Sequence, residues 1–427
     1  MSSTTTRESS RAITASDAAA RLMDRCKVLA LCTEKPGEIL RTFLSPAMDE
    51  VHQTMRPWME DAGLRVSVDE AGNLRGARAA HHSPTAPRLL IGSHLDTVPN
   101  AGAYDGVLGV LMGLALVEES ADRQYPFAME VIGFSDEEGT RFGAPFLGSR
   151  AMVGELNGDL LQCVDSNRIS VAEALHNFAA TRPEADAPAL SPQTAGYIEF
   201  HIEQGPVLES RNLPLGIVED LVGQSRCSIE FHGTAGHAGT NPMKLRKDAL
   251  AGAAAWMTEV EILTKRVDDA VATVGQIAAE PGGVNVIPGI ARCSLDVRHR
   301  DDTVRTALVR AIFDAAQSIA EKRGLRVNTA QYHEQPAVRL NANLVAMAER
   351  AASLSGHPAI RMSSGAGHDA MVMAAHVPSA MIFLRNPGGI SHYPDENVAE
   401  DDVAAAIQLG LQFLAQFAAQ VKEKDHA

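Results

Sequence analysis

Apolar and polar positions alternate with two different periods along the first half of the chain. Residues 17–32 and 46–63 carry apolar side chains at helical spacing, which predicts two amphipathic helices. Leu64 to Val68 and Leu74-Arg75-Gly76 predict short strands around the turn Glu70-Ala71-Gly72-Asn73. Residues 77–87, with His81-His82 and two prolines, predict a loop. A strand at 88–93, a helix at 107–120, a strand at 127–135 and a helix at 147–153 follow. Buried strands separated by crossover helices predict an α/β sheet. Residues 155–195 are polar and Pro-rich, a surface excursion with one short helix near 171–178, and lead to a strand at 196–203.

Around Gly216 the pattern changes. Residues 224–232 alternate as a half-exposed strand, a helix follows at 246–265, then strands at 271–279 and 291–299, a helix at 302–322 and a strand at 325–334. This β-α-β-β-α-β order predicts a ferredoxin-like α+β unit inserted in the larger domain. Helix 340–355, the loop Ser363–His368, strand 379–385 and helix 400–420 return to the first domain. The predicted organisation is a polar tail over 1–16, a first domain over 17–216 and 335–427, and an inserted domain over 217–334.

Composition narrows the classes of function. A chain of 427 residues exceeds one ordinary core, and 45% hydrophobic residues can fill two. The net charge of −15 opposes nucleic acid and anionic membranes as partners, since phosphate binding needs clustered Lys and Arg. Five scattered cysteines without a CxxC predict buried free thiols. The polar N-terminus lacks a signal-peptide core and Val28 to Cys32 is too short to span a bilayer, so a cytoplasmic location is expected.

The candidate chemistry lies where strand-like runs end. His94 and Asp96 close one run, and the carboxyl ends of strands are where α/β sheets bind ligands. His94 suits a metal ligand and Asp96 a partner for its other ring nitrogen, although an HxD alone is more often structural. Asp105-Gly106 opens a helix, where a carboxylate can bridge two cations or merely cap. Glu137-Glu138 ends the run MEVIGFSDEEG, and adjacent like charges there repel unless a cation or a proton relieves them. Alternation places Glu199, His201 and Glu203 on one face of their strand, and His392 sits in a glycine-led loop after another apolar strand. Imidazoles and carboxylates with one spare acid are what metal-assisted hydrolysis requires: ions that acidify a water and a base that takes its proton.

With these residues in place, the chain resembles the M20 family of metallopeptidases and amidohydrolases, from about residue 40 to 415. The motifs are GSHLDTV (92–98), YDGVLG (104–109), FSDEEGTRF (134–142), HIEQGPVLE (201–209), GHAGTNPM (236–243), NVIPG (285–289), DVRH (296–299) and SGAGHDAM (364–371). HIEQGPVLE and SGAGHDA are specific to the carbamoyl-hydrolysing branch. The blocks LRTFLSPAMDE and GGISHYPDENVAEDDV are most similar to its allantoate-cleaving members.

The resemblance implies a two-domain fold, with a mixed-sheet catalytic domain and an inserted lid and dimerisation domain. It implies two divalent ions per subunit, Zn²⁺ or Mn²⁺. Asp105 would bridge them, His94 and His201 would complete one and Glu138 and His392 the other. Glu137 would be the general base. His237 would polarise the scissile carbonyl, delivered by the partner subunit of a homodimer. Gln204, Asn285, Arg298 and the backbone of Gly365 and Ala366 would contact a small ureido acid. His368 and Asp369 read as loop support. Asn241, Tyr393 and Asp395 depart from the common forms near the substrate. Allantoate is the expected substrate. An N-carbamoyl-L-amino acid or N-carbamoyl-β-alanine is the alternative, and a metal-dead binding protein is the alternative of another class. His201 in place of a carboxylate disfavours a true peptidase.

Overall fold

The computed structural model describes residues 14–80, 85–181 and 189–425. It comprises two compact units. One contains residues up to Glu219, then Leu340–Met362 and from His368 onward; the other contains Asp220–Arg339 and Ser363–Gly367. The loop Ser363–Gly367, expected with the first domain, therefore belongs to the second unit. Of the predicted tail over 1–16, residues 1–13 lie outside the described residues, as does the His81-His82 pair. The tail ends earlier than expected, because Thr14 caps a helix at Ala15–Leu29 in a reciprocal box with Asp17.

The first unit is built on a mixed sheet. Its strand order is Arg65–Val68, Leu74–Arg78, Ala128–Phe134, Arg88–His94, Thr194–Ile202, Ser379–Leu384 and Leu215–Leu221. The central four strands run parallel, with His94 beside Phe134 and His201 beside Phe383. Their carboxyl ends therefore share one edge of the sheet. The flanking pairs, Leu74–Arg78 on Ala128–Phe134 and Leu215–Leu221 on Ser379–Leu384, are antiparallel.

Helix Val107–Glu119 is apolar on all sides and buried from Val107 to Val117, as expected of a helix enclosed in a core. A Cβ at Gly109 would stand 2.1 Å from the Phe200 carbonyl oxygen, so only glycine lets the helix lie this close to strand Thr194–Ile202. The helix Glu400–Asp425 is the one described helix long and apolar enough to cross a membrane by length and composition. Its buried Val403, Ile407, Phe413, Leu414 and Phe417 form part of this core, where it packs on Ala15–Leu29 and Ala342–Ser355.

In the second unit the sheet order is Ile277–Glu280, Ile290–His299, Gly223–His232 and Arg326–Gln335, all antiparallel. Alternate residues Cys227, Ile229, Phe231, Cys293, Leu295 and Val297 pack with Trp256 and Ile312 of the helices Ala249–Thr264 and Asp302–Arg323. The single strand predicted over 271–279 is two short ones, Val271–Thr273 and Ile277–Glu280. Between them Gln276 bonds both the amide and the hydroxyl of Ser294 instead of continuing the ladder. Helix 246–265 starts at Ala249, because the Asp248 side chain accepts from the Ala251 amide and caps it there. The strands Leu215–Leu221 and Ala359–Ser364 were not expected.

Candidate metal centre

The shared sheet edge gathers side chains that are far apart in sequence. His94 is the last residue of its strand, Glu137 and Glu138 follow Phe134 by three and four positions, and His201 precedes the end of its strand by one. Asp105 stands just before the helix at Val107. A carboxylate there is favoured by the helix dipole. Gly106 takes φ 69°, and a Cβ on it would lie 2.4 Å from the His94 ring. The glycine thus serves both the turn and the close approach of the imidazole.

The donor atoms converge on Asp105. His201 Nε2 lies 3.2 Å and His94 Nε2 3.9 Å from Oδ1. His392 Nε2 lies 3.3 Å from Oδ2 and 3.3 Å from Glu138 Oε1. The two Nε2 atoms of His94 and His201 are 3.4 Å apart. Tetrahedral donors at roughly 2.0–2.1 Å from one ion stand about 3.3–3.4 Å from each other, so the spacings of 3.2–3.4 Å fit a metal ion, and that of 3.9 Å is wider. His94 Nδ1 is 3.0 Å from the Asp96 carbonyl and His201 Nδ1 is 2.9 Å from the Ile202 carbonyl. A carbonyl oxygen only accepts, so each Nδ1 carries the proton and each Nε2 offers a lone pair. Among the described residues, the groups able to hold an ion are His94, Asp105 and His201; Asp105, Glu138 and His392; and His94, Glu137 and Glu138.

Charge supports the same conclusion. Burial, then the charge of Glu138, hold the Glu137 carboxyl well above the usual range. Burial, then the charge of Asp105, push Glu138 up to about 7. Its bond to Asp105 raises His392 to about 8. Buried carboxylates that repel in this way are relieved by a cation.

Asp96 lies against the ring nitrogen of His94 where it was expected, and also has a second role. The His94 ring is oriented by the Asp96 main-chain carbonyl, and the carboxylate stands 3.5 Å from that nitrogen. The carboxylate accepts from the amides of Glu137 at 2.9 Å and Glu138 at 3.1 Å. It therefore sets the turn that carries both glutamates. Gln204, expected against a ureido group, places its Nε2 within 3.1 and 3.2 Å of the two Asp105 oxygens and 3.1 Å from Ser391 Oγ. His368 packs its ring on His201, with centroids 4.4 Å apart, and Asp369 is fully buried behind it.

Two further side chains support the site, in roles the sequence did not assign them. Glu199 accepts from Ser93 Oγ, Tyr197 Oη and the Ala370 amide. Arg41 is buried and donates from Nε to the carbonyl of Leu95, which lies between His94 and Asp96, and from Nη1 to the Leu29 and Cys32 carbonyls. Burial lowers its pKa to about 10.

The remaining candidates lie in the second unit. Val286 pairs with His237, and the Asn285 carbonyl accepts from the Ala238 amide. The Gly239 amide donates to His237 Nδ1 at 3.0 Å, which leaves Nε2–H as the outward donor of the neutral ring. The Arg298 fork is already engaged. Its Nε and Nη2 donate to the two Asp296 oxygens at 2.9 and 3.3 Å, and Nη1 donates to the Gly365 carbonyl at 2.7 Å. The Ala366 amide, expected to be a donor for substrate, donates to Ser364 Oγ.

A parallel-stranded core that collects imidazoles and carboxylates around one shared aspartate, with a buried acid beside them, defines a metal-dependent hydrolase. Residues 90–416 match peptidase family M20/M25/M40. The chain is 37% identical over 432 residues to allantoate deiminase 1 of Glycine max, covering 93% of this chain and 88% of that one. It is 38% identical over 395 residues to the N-carbamoyl-L-amino acid amidohydrolase of Geobacillus stearothermophilus, covering 91% and 96%. A crystal structure of an amidase of the hydantoinase/carbamoylase family from Burkholderia multivorans superposes with a TM-score of 0.88 at 31% identity, covering 94% of this chain and 98% of that one. The chain belongs to peptidase family M20/M25/M40, and within it is an enzyme of the amidohydrolase kind.

Proposed function

We propose that the chain hydrolyses the carbamoyl C–N bond of a ureido acid, with allantoate as substrate and ureidoglycine, ammonia and CO₂ as products. The observation that carries the hydrolytic reading is the convergence of His94, His201, Glu138 and His392 on the two oxygens of Asp105, with Glu137 alongside. Support for the carbamoyl bond comes from the 37–38% identity to an allantoate deiminase and an N-carbamoyl-L-amino acid amidohydrolase.

In this reading Asp105, His94, His201, Glu138 and His392 would hold two divalent ions, Zn²⁺ or Mn²⁺, with Asp105 shared between the pair His94 and His201 and the pair Glu138 and His392. Bound ions would supply Lewis acidity toward the water and the scissile carbonyl. Glu137 takes the water's proton as the oxygen bonds to the carbamoyl carbon. It then returns the proton to the substrate nitrogen as that C–N bond breaks, and the carbamic acid released breaks its remaining C–N bond to give ammonia and CO₂. A donor Nε2–H on His237, from a second copy in a homodimer, would stabilise the developing oxyanion. Asn285, Arg298, Gly365 and Ala366 are assigned to substrate by the resemblance.

The N-carbamoyl-L-amino acid reading is the second, favoured by the coverage of the Geobacillus stearothermophilus relative. Ammonia release from Zn²⁺- or Mn²⁺-loaded protein across allantoate, N-carbamoyl-L-amino acids and N-carbamoyl-β-alanine separates the two. Release from none of them overturns the carbamoyl reading.

The same assay tests Arg298. If its fork moves from Asp296 to a substrate carboxylate, Lys would keep the charge and lose the bidentate geometry. Arg298→Lys is then expected to lower kcat/KM for allantoate by about tenfold, within the range of a charge-assisted hydrogen bond. The amide analogue should be a poor substrate for wild type and nearly insensitive to the change. Equal turnover of acid and amide by wild type would remove Arg298 from carboxylate recognition.

A further inference from the structure

Asp105 and His392 are brought to one site from opposite ends of the first unit's sequence, and one further carboxylate joins their loops. Glu396 is buried, and its Oε1 accepts from two consecutive amides, Tyr104 and Asp105, at 2.9 Å each. These bonds hold the backbone of the bridging aspartate immediately before the Gly106 turn. The other oxygen, Oε2, lies 3.4 Å from Ser391 Oγ. Ser391 precedes His392, and its hydroxyl also lies 3.5 Å from Asp105 Oδ2 and accepts from Gln204 Nε2. The chain folds back to deliver Glu396 through a turn in which its amide donates to the Tyr393 carbonyl. His392 itself has φ 57°, so its loop is held in a conformation that needs support from its surroundings.

Gly102 shows how tightly the carboxylate is seated. A Cβ there would come within 2.4 Å of Glu396 Cβ and Oε1, and the three nearest atoms all belong to Glu396. Gly102 is not among the positive-φ residues, so an added methyl conflicts with Glu396 and not with the local backbone.

We infer that Glu396 is a positioning residue that locks the Asp105 turn to the His392 loop, so that both ligand sets can share one aspartate. This rests on the proposed metal reading of the site. Glu396 acts by hydrogen-bond geometry on the ligands and need not touch the ions. The ligand sequence spacing gives no hint of it, since its role exists only where the two loops meet.

The test measures Zn²⁺ and Mn²⁺ binding to metal-free protein by chelator competition, with the melting curve of the metal-free protein as a separate readout of folding. Glu396→Ala is expected to weaken binding by about 10- to 100-fold, the usual cost of losing a residue that orients a ligand. Glu396→Gln retains an oxygen for both amides and an N–H₂ for Ser391, so it is expected to bind nearly as wild type. Gly102→Ala, which keeps the carboxylate but displaces it, is expected to weaken binding in the direction of Glu396→Ala. That variant decides the matter if Glu396→Ala fails to fold. A wild type that binds neither ion overturns the metal reading and this inference with it. Tight binding by wild type, matched by a folded Glu396→Ala or by Gly102→Ala, overturns the inference alone. Equal loss in the Gln and Ala variants would show that charge and not geometry matters, and would also overturn it.

Discussion

Glu137→Gln is expected to retain metal and lose turnover by about 10²- to 10⁴-fold, the usual contribution of a positioned general base. Gln matches Glu in shape, and the Glu137 amide remains bonded to Asp96, so the turn should survive. What disappears is the carboxylate that takes the water's proton in the proposed mechanism. Glu138→Ala contrasts with it, because Glu138 Oε1 stands 3.3 Å from His392 Nε2 and belongs to the group around Asp105 Oδ2. That variant is expected to lose metal as well as rate. Steady-state kinetics beside metal analysis of dialysed protein separates the two, and near-normal kcat in Glu137→Gln removes the residue from the base role.

A second readout needs no metal. Burial and the neighbouring Glu138 raise the folded-state pKa of Glu137 above its unfolded value. The folded state therefore binds the proton more tightly, and the ionised form costs stability once pH rises above the unfolded value. Metal-free Glu137→Gln is expected to melt higher than wild type at neutral pH. The difference should shrink as pH falls toward the unfolded carboxylate range.

Asp105→Asn is the other variant with a large expected effect. Both oxygens of Asp105 are engaged, Oδ1 toward His201 and His94 and Oδ2 toward His392. Asn keeps the shape but replaces one oxygen with an N–H₂, which cannot ligate a cation. Both donor groups are therefore expected to lose affinity together, by more than the roughly 10- to 100-fold of a change outside the ligands. His94→Ala removes a donor only from groups that exclude His392 and should leave the Asp105, Glu138 and His392 set able to bind. Metal titration of the three proteins checks this. Full occupancy in Asp105→Asn would show that the sites do not depend on a shared carboxylate.

Much of the first unit was legible in sequence because its strands are buried on both faces and bounded by turns. Arg88–His94, Ala128–Phe134 and Ser379–Leu384 are short apolar runs that few other structures accommodate. Strand Leu215–Leu221 was missed because the change of pattern around Gly216 reads as a boundary, whereas its pairing with Ser379–Leu384 supplies the ladder bonds that stabilise it. Val271–Thr273 and Ile277–Glu280 read as one strand because periodicity does not reveal where a partner strand breaks the ladder.

At the site, local rules marked candidate donors, imidazoles and carboxylates placed after buried strands or at a helix start, and the family resemblance assigned which of them would hold ions. Their partners did not follow. That the Asp96 carboxylate supports Glu137 and Glu138, that Gln204 lies on Asp105, and that Arg298 reaches the Gly365 carbonyl depend on strands and loops separated by about forty to a hundred residues. The chain by itself determined which residues can carry charge, lone pairs and protons, since these are properties of single side chains and their nearest neighbours. Only the tertiary structure decided how those groups are shared, because a hydrogen bond is fixed by distances near 3 Å between atoms that the linear order leaves unrelated.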